Sequence, residues 1–231
     1  MGVYFIIMKC YSIIPSGGTG SRAGSNIPKQ YLKFNNKELV AYTIDVFQKN
    51  ELIDGIVIAA QKEFFNLLEE IKQRYSFTKI IKIIEGGAER QNSVFNALKS
   101  LQADKEDIIA VHDAVRPLLS QEILINSIEA AKTYGAAVVA MKAKDTLIKG
   151  NDAVISYIDR HEFYYAQTPQ VFRYNILFEA MKKAEAENFI GTDESILVHR
   201  AGHQVKIVEG SSLNFKITSQ DDIKIFEHVS R

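Results

Sequence analysis

The sequence has no tryptophan, one cysteine and only four prolines in 231 residues. A lone Cys10 excludes an internal disulfide framework, so stability must come from a packed core. That usage suits a reducing compartment, and the cytoplasm is the expected location. Cys10 itself reads as a small buried apolar residue at the start of a strand. Excess charge is missing too, because 28 Lys and Arg face 28 Asp and Glu. No global field therefore draws the chain to nucleic acid or an anionic membrane, and any basic function must be local. No apolar run is long enough to span a bilayer, and Val3–Ile7 is too short for a secretory core segment. Met8 offers an alternative start. The histidines at 112, 161, 199, 203 and 228 lack metal-ligand spacing, which argues against a zinc site.

Repeats, low-complexity tracts and linkers are also absent, so residues 1–231 are expected to form one domain with a sizeable core. Apolar β-rich runs alternate with stretches of helical spacing. Strands are expected up to Pro15 and over 53–60, 80–84 and 108–111; helices over 38–50, 63–74, 89–101 and 121–134. This alternation predicts an α/β fold, a mostly parallel sheet with helices on both faces. Beyond Ala136 the rhythm fails. Short strands are expected over 136–141, 145–149, 153–158 and 163–166, with a turn at Gly150-Asn151-Asp152. The long hairpin so formed carries Tyr157, Phe163, Tyr164 and Tyr165, an apolar surface of the kind that marks an interface. Further helices are expected over 173–188 and 195–201, the latter capped by Thr192, with strands over 205–208 and 214–217 and a last helix starting at Ser219.

The first strand runs into Pro15-Ser16-Gly17-Gly18-Thr19-Gly20-Ser21-Arg22-Ala23-Gly24, then Pro28-Lys29-Gln30. Glycines let backbone N–H groups approach a ligand, and successive N–H groups make an anion-binding concavity. Arg22 and Lys29 add full positive charge beside it. The Walker pattern of Gly, four residues and Gly-Lys-Ser/Thr is absent. The relaxed dinucleotide fingerprint does match Gly18, Gly20 and Ala23, with Glu38 about twenty residues on. That fingerprint must open into a long helix, which Gly24 to Pro28 would break. A long, basic, non-helical loop that wraps a nucleoside triphosphate is the reading that remains.

In a parallel sheet, ligands bind beyond the carboxyl ends of the strands. Three polar clusters fall at such ends: the basic loop, Gly86-Gly87, and His112-Asp113-Ala114-Val115-Arg116-Pro117. The four prolines, 15, 28, 117 and 169, sit in these clusters or in Gln167-Thr168-Pro169-Gln170. Phosphate groups gathered at such an edge need converging cations, and Arg22, Lys29, Arg116, Arg160 and Lys216 are the candidates.

Pro15 to Gly24 with Pro28-Lys29-Gln30-Tyr31-Leu32 resembles the signature of the 2-C-methyl-D-erythritol 4-phosphate cytidylyltransferases, whose sister family acts on ribitol 5-phosphate. The likeness continues through Gly86 to Val94, His112 to Pro117, Asp145-Thr146, Ile158-Asp159-Arg160, Gln167 to Phe172, Thr192-Asp193-Glu194 and Asn214 to Thr218. It implies a Rossmann-like three-layer nucleotidyltransferase fold with a protruding β-arm, at about residues 141–170, that clasps a second subunit. Arg22 and Lys29 would stabilise the transition state at the α-phosphate, and Arg160 and Lys216 would hold the attacking phosphate. Pro15, Ser16, Gly17, Gly18, Gly20, Gly86, Gly87, Ser93, Asp113 and Ala114 would contact the nucleotide. Asp113 and Arg116 would approach the sugar phosphate, and Thr146, Thr168 and Thr192 would bond the polyol or its phosphate. Many members carry an acidic residue where this chain has Ala88, so that contact is lost or moved here. Mg²⁺ is the implied cofactor, near Asp113 but held mostly by the triphosphate. CTP and a polyol phosphate are the implied substrates, with no nucleic acid and no membrane.

Three other readings remain open at this level. Ribitol 5-phosphate is a second acceptor for the same chemistry, a non-catalytic nucleotide-binding scaffold would keep the loop alone, and an NAD-linked oxidoreductase would follow the glycine fingerprint.

Overall fold

The computed structural model describes residues 8–18 and 27–230. The strand elements are β1 (Cys10–Pro15), the short β2 (Lys33–Phe34) and β3 (Lys37–Glu38), β4 (Gly55–Ala60), β5 (Ile80–Glu85) and β6 (Ile108–Val111). These are followed by β7 (Ala136–Lys142), β8 (Leu147–Gly150), β9 (Val154–Ile158), β10 (Tyr164–Arg173) and β11 (Lys206–Glu209). The helices are α1 (Leu39–Gln48), α2 (Phe65–Arg74), α3 (Arg90–Ser100), α4 (Gln121–Tyr134), α5 (Tyr174–Ala186), α6 (Glu194–Arg200) and α7 (Gln220–Val229).

Seven strands join in the order β11-β7-β10-β6-β1-β4-β5. β1, β4, β5 and β6 pair in parallel, β11 is parallel to β7, and β10 alone runs against both its neighbours. Every residue of β4 and β6 is buried, as expected where helices cover both faces. The pleat divides the core. Ile14, Ile56, Ile58 and Ile108 pack with Val40, Ile44, Leu68, Leu124 and Ile128 of α1, α2 and α4. Their alternates Ile13, Val57, Ile109 and Val111 pack with Val94, Leu98, Leu177, Met181 and Leu197 of α3, α5 and α6. Three layers result, α on β on α, as the sequence pattern predicts. A third cluster of Phe34, Leu39, Val115, Ile217 and Phe226 ties α7 to the two loops that flank Asp113.

Local chemistry sets the helix ends. Ser120 accepts from the Ile123 N–H to start α4, and Gly135 ends it in the left-handed region at φ 85°. Ser219 caps α7 with a reciprocal Asp222 contact, as its position in the sequence suggests. Asp193, rather than Thr192, caps α6: its carboxylate accepts from the Ile196 N–H at 3.0 Å.

Two strand assignments change. Residues 163–166 are not a short isolated strand; β10 continues through Pro169 to Arg173 and lies inside the main sheet. A break in its pairing with β7 between Ala166 and Gln170 accommodates the proline and turns Gln167, Thr168 and Gln170 to internal partners. Residues 214–217 form no strand. Ile217 N–H bonds Val115 O at 3.0 Å, while buried Asn214 donates to Thr168 O at 2.7 Å and Gln167 Oε1 at 3.2 Å.

The arm is narrower than 141–170. β8 and β9 form a separate two-stranded sheet, so the free hairpin covers 147–158, rooted on β7 and β10. Ile155 and Tyr157 on it are 70% and 73% exposed, far more than a hairpin folded onto its own domain would leave.

Candidate active site

Three strand ends build one wall each. At the end of β1, Ser16 N–H bonds Ala59 O at 2.7 Å, which carries the strand one residue past Pro15. Buried Gln30 donates Nε2 to Ser16 O at 2.9 Å and to Gly18 O at 2.8 Å. A trans peptide points its N–H opposite its C=O, so Gly17 N–H faces away from Gln30. Ser16 Oγ also donates to Tyr31 Oη at 3.1 Å, and burial pushes that phenol up to about 12. Residues 28–31 thus fold back beneath the glycines and hold Lys29 at the cavity wall.

At the end of β5, Gly87 N–H donates to Ser93 Oγ at 3.0 Å, and that hydroxyl donates to Glu89 O at 3.1 Å. A Cβ on Gly87 would stand 2.3 Å from that of Asn92, so only glycine fits the turn. Glu89 and Asn92 close a capping box that starts α3. Its first residue, Arg90, is a cation at the positive end of a helix, a position that calls for carboxylate partners. It has two. Arg90 Nη1 lies 2.7 and 2.8 Å from the Glu194 oxygens, and Nε donates to Asp113 Oδ1 at 3.1 Å.

At the end of β6, the buried Asp113 carboxylate gathers three cations. Arg90 meets Oδ1, while Arg116 Nε and Lys216 Nζ each stand 3.2 Å from Oδ2. Burial alone would raise its pKa, but Arg90, Lys216 and Arg116 hold the carboxyl well below the usual range. Burial raises the Glu194 carboxyl above its ordinary value, opposed by the single Arg90 Nη1 that meets both of its oxygens. Behind Asp113 its own N–H donates to Thr168 Oγ1 at 3.1 Å, and that hydroxyl meets His112 Nδ1 at 3.0 Å. His112 Nε2 donates to Arg116 O at 3.0 Å, which fixes the tautomer and leaves Nδ1 to accept. Complete burial pushes the imidazole down to about 4.

These walls enclose a cavity of about 430 Å³, lined by Pro15–Gly18, Lys29, Gln30, Gly87–Arg90, Ser93, Asp113–Val115, Lys216 and Thr218. It lies where β4 and β6 leave β1 on opposite sides, the crevice where open α/β sheets take ligands. Of the expected site residues, Pro15, Ser16, Gly17, Gly18, Lys29, Gly87, Ser93, Asp113, Ala114 and Lys216 meet here. Gly86 lies against Ser93 just behind the wall, and Arg116 lies beneath Asp113. Gly20 and Arg22 fall outside the described residues.

Three threonines and one arginine stand elsewhere. Thr168 is buried, and its hydroxyl is committed to Asp113 and His112, so it supports the site from below instead of facing a substrate. Thr192 is exposed just ahead of α6. Thr146 and Arg160 lie at the base of the arm, both exposed, with Arg160 donating to Lys144 O. Sequence reasoning passed over Arg90, Glu194 and Gln30 as site residues. The charge of Arg90 at a helix start was the signal for the first.

Among the described residues no group of three or more His, Cys, Asp or Glu is arranged to hold a metal ion. Asp113 has both oxygens on cations, so the described residues do not fit a magnesium site built by the protein alone. Cys10 is buried, and burial pushes its thiol up to about 12.

The chain that builds this cavity is similar in sequence and fold to known proteins. The family model for 2-C-methyl-D-erythritol 4-phosphate cytidylyltransferase (IspD) matches residues 10–231. Proteins of that name from Geobacter metallireducens and Clostridioides difficile are 40% and 42% identical to this chain. Those matches span 95% and 94% of this chain, and 97% and 92% of the relatives. The crystal structure of the Francisella tularensis protein of that name superposes with a TM-score of 0.81 at 33% identity, over 94% of this chain and 97% of that one. The Thermus thermophilus structure gives 0.81 at 28% identity, over 97% and 100%. Fold and sequence agree, and the chain belongs to the 2-C-methyl-D-erythritol 4-phosphate cytidylyltransferase family.

Proposed function

We propose that this protein transfers the cytidylyl group of CTP to 2-C-methyl-D-erythritol 4-phosphate, with release of pyrophosphate, as a step of isoprenoid synthesis. The observation that carries the site assignment is the meeting of Lys29 and Lys216, 187 positions apart in the chain, at the wall of one cavity. An acceptor phosphate oxygen attacks the α-phosphorus of CTP. The new P–O bond forms as the bond to the β-phosphate oxygen breaks, and pyrophosphate leaves with that electron pair. The phosphate dianion is already nucleophilic, so no general base is required. Positioning and charge neutralisation do most of the work.

Lys29, with Arg22, neutralises the charge that builds at the α- and β-phosphates. Lys216, held by Asp113, receives the acceptor phosphate. The Gly87–Glu89 turn takes the base, with Ser93 holding the turn in shape. Magnesium fits this scheme as the cation carried in by the triphosphate, since the described carboxylates do not form a site for it. The arm completes the assembly: its exposed Ile155 and Tyr157 suit a second copy, and Thr146 and Arg160 would then serve the partner's cavity. A reducing cytoplasm suits the single cysteine, and no described helix is long and apolar enough to cross a membrane.

The test is pyrophosphate release with CTP or UTP and with either 2-C-methyl-D-erythritol 4-phosphate or ribitol 5-phosphate. Turnover is expected with CTP and the methylerythritol acceptor. Equal or better turnover with ribitol 5-phosphate would move the assignment to the sister activity, and none with any pair would reject it.

A further inference from the structure

Arg90 and Glu194 take no part in the transfer as described, yet Arg90 lines the cavity where the phosphates are expected. Its guanidinium spends three contacts on carboxylates: two on Glu194 and one on Asp113. The surroundings allow it little freedom. Next to it, Gln91 donates to Phe189 O at 3.0 Å and accepts from Gly191 N–H at 2.8 Å, which fastens the loop before α6 to α3. On the other side, Ser195 N–H donates to Gln170 Oε1 at 2.8 Å, which fastens the start of α6 to β10. Glu194 itself is 1% exposed. A guanidinium without such a clamp would grip phosphate oxygens bidentately. Lys29, where pyrophosphate would leave, lines the same cavity, so such a grip would fall on a product that has to leave.

We propose that Glu194 is a positioning residue that clamps Arg90 onto Asp113 and off the leaving pyrophosphate, so that Arg90 orients Asp113 without retaining the product. This rests on the triphosphate reading of the cavity. Two variants of the full chain test it, each first checked by thermal melting.

Glu194→Gln keeps an acceptor but removes the charge that cancels Arg90. Pyrophosphate, titrated calorimetrically without acceptor, is expected to bind about tenfold tighter, as one more unbalanced charge in the cavity requires. Turnover should fall while the KM for CTP does not rise. A merely structural clamp would instead loosen the site and weaken pyrophosphate. Unchanged or weaker pyrophosphate binding overturns the proposal.

Arg90→Met removes the Oδ1 partner of Asp113 and decides the matter should Glu194→Gln fail to fold. Its kcat should fall at least about tenfold with the KM for CTP within about threefold of wild type, the signature of lost positioning. Near-normal kcat, or a loss confined to KM, overturns it. A wild-type protein that binds pyrophosphate but shows no turnover would remove the activity assignment alone, and the calorimetric comparison would still decide the clamp. Absence of pyrophosphate binding by both proteins would overturn the two together.

Discussion

Thr168→Val separates a residue that supports the site from one that touches substrate. The substitution keeps the shape and removes one hydroxyl. Two buried groups then lose their partner: the Asp113 N–H, 3.1 Å away, and His112 Nδ1, 3.0 Å away. Each lost hydrogen bond is worth about 1 kcal/mol net, and each buried group left unpaired costs about 1–3 kcal/mol. The extra methyl returns a little through apolar burial. A loss of about 3 kcal/mol is expected overall, which for a domain of this size lowers Tm by about 6–12 °C. Urea unfolding and thermal melting read the stability, and steady-state kinetics read the KM for the polyol phosphate. Stability should fall while that KM stays within about threefold. A Tm within about 2 °C of wild type, with a KM raised tenfold or more, would refute the supporting role. It would restore the substrate contact that family resemblance implies for this threonine.

Three further outcomes are expected. His112 is neutral in the fold, with its pKa pushed down to about 4 from an ordinary 6.5. Its contribution is fully present above pH 6.5 and is lost as pH falls toward 4, a total of about 3 kcal/mol at about 1.4 kcal/mol per pH unit. Urea unfolding that is flat from pH 6.5 to 4.5 would contradict this. Phe226→Ala empties the centre of the cluster behind Val115 and Ile217 and should cost about 3–5 kcal/mol. It should also lower kcat at temperatures where the variant stays folded, because Lys216 adjoins Ile217; an unchanged kcat would show that α7 does not position that lysine. Lys29→Ala and Arg160→Ala should each be nearly inactive, yet an equal mixture allowed to exchange subunits should regain about a quarter of wild-type turnover. Half the dimers are then mixed, with one intact site of two. No recovery despite proven exchange would place Arg160 in its own chain's site.

The parallel sheet was legible because strands buried on both faces read as plain apolar runs, as at Ile108–Val111, and helix α4, Gln121–Tyr134, also has the expected bounds. The convergence of three loops followed from the rule that strand ends collect ligands, and the cavity obeys it. β10 was not legible in full. Gln167, Thr168 and Pro169 look like loop residues, and only the tertiary partners Ser211, His112 and Asn214 make them fit a central strand. The reverse holds at 214–217, where alternating side chains suggest a strand but Asn214 turns inward to bond Gln167 and Thr168. Thr192 and Asp193 are both cap-forming residues, and the aspartate, the stronger by type, is the one that caps. The Arg90–Glu194 pair joins positions 104 apart, a separation over which one sequence carries no pairing information.

In the proposed transfer, cations from distant parts of the chain surround one phosphorus atom. A crystal structure with a non-hydrolysable CTP analogue tests it directly. The α-phosphate should lie within hydrogen-bond reach of Lys29 Nζ, with the base on the Gly87–Glu89 turn and Lys216 facing the α-phosphorus from the acceptor side. A nucleotide bound elsewhere, or bound here with Lys29 and Lys216 turned from its phosphates, would refute the proposed transfer.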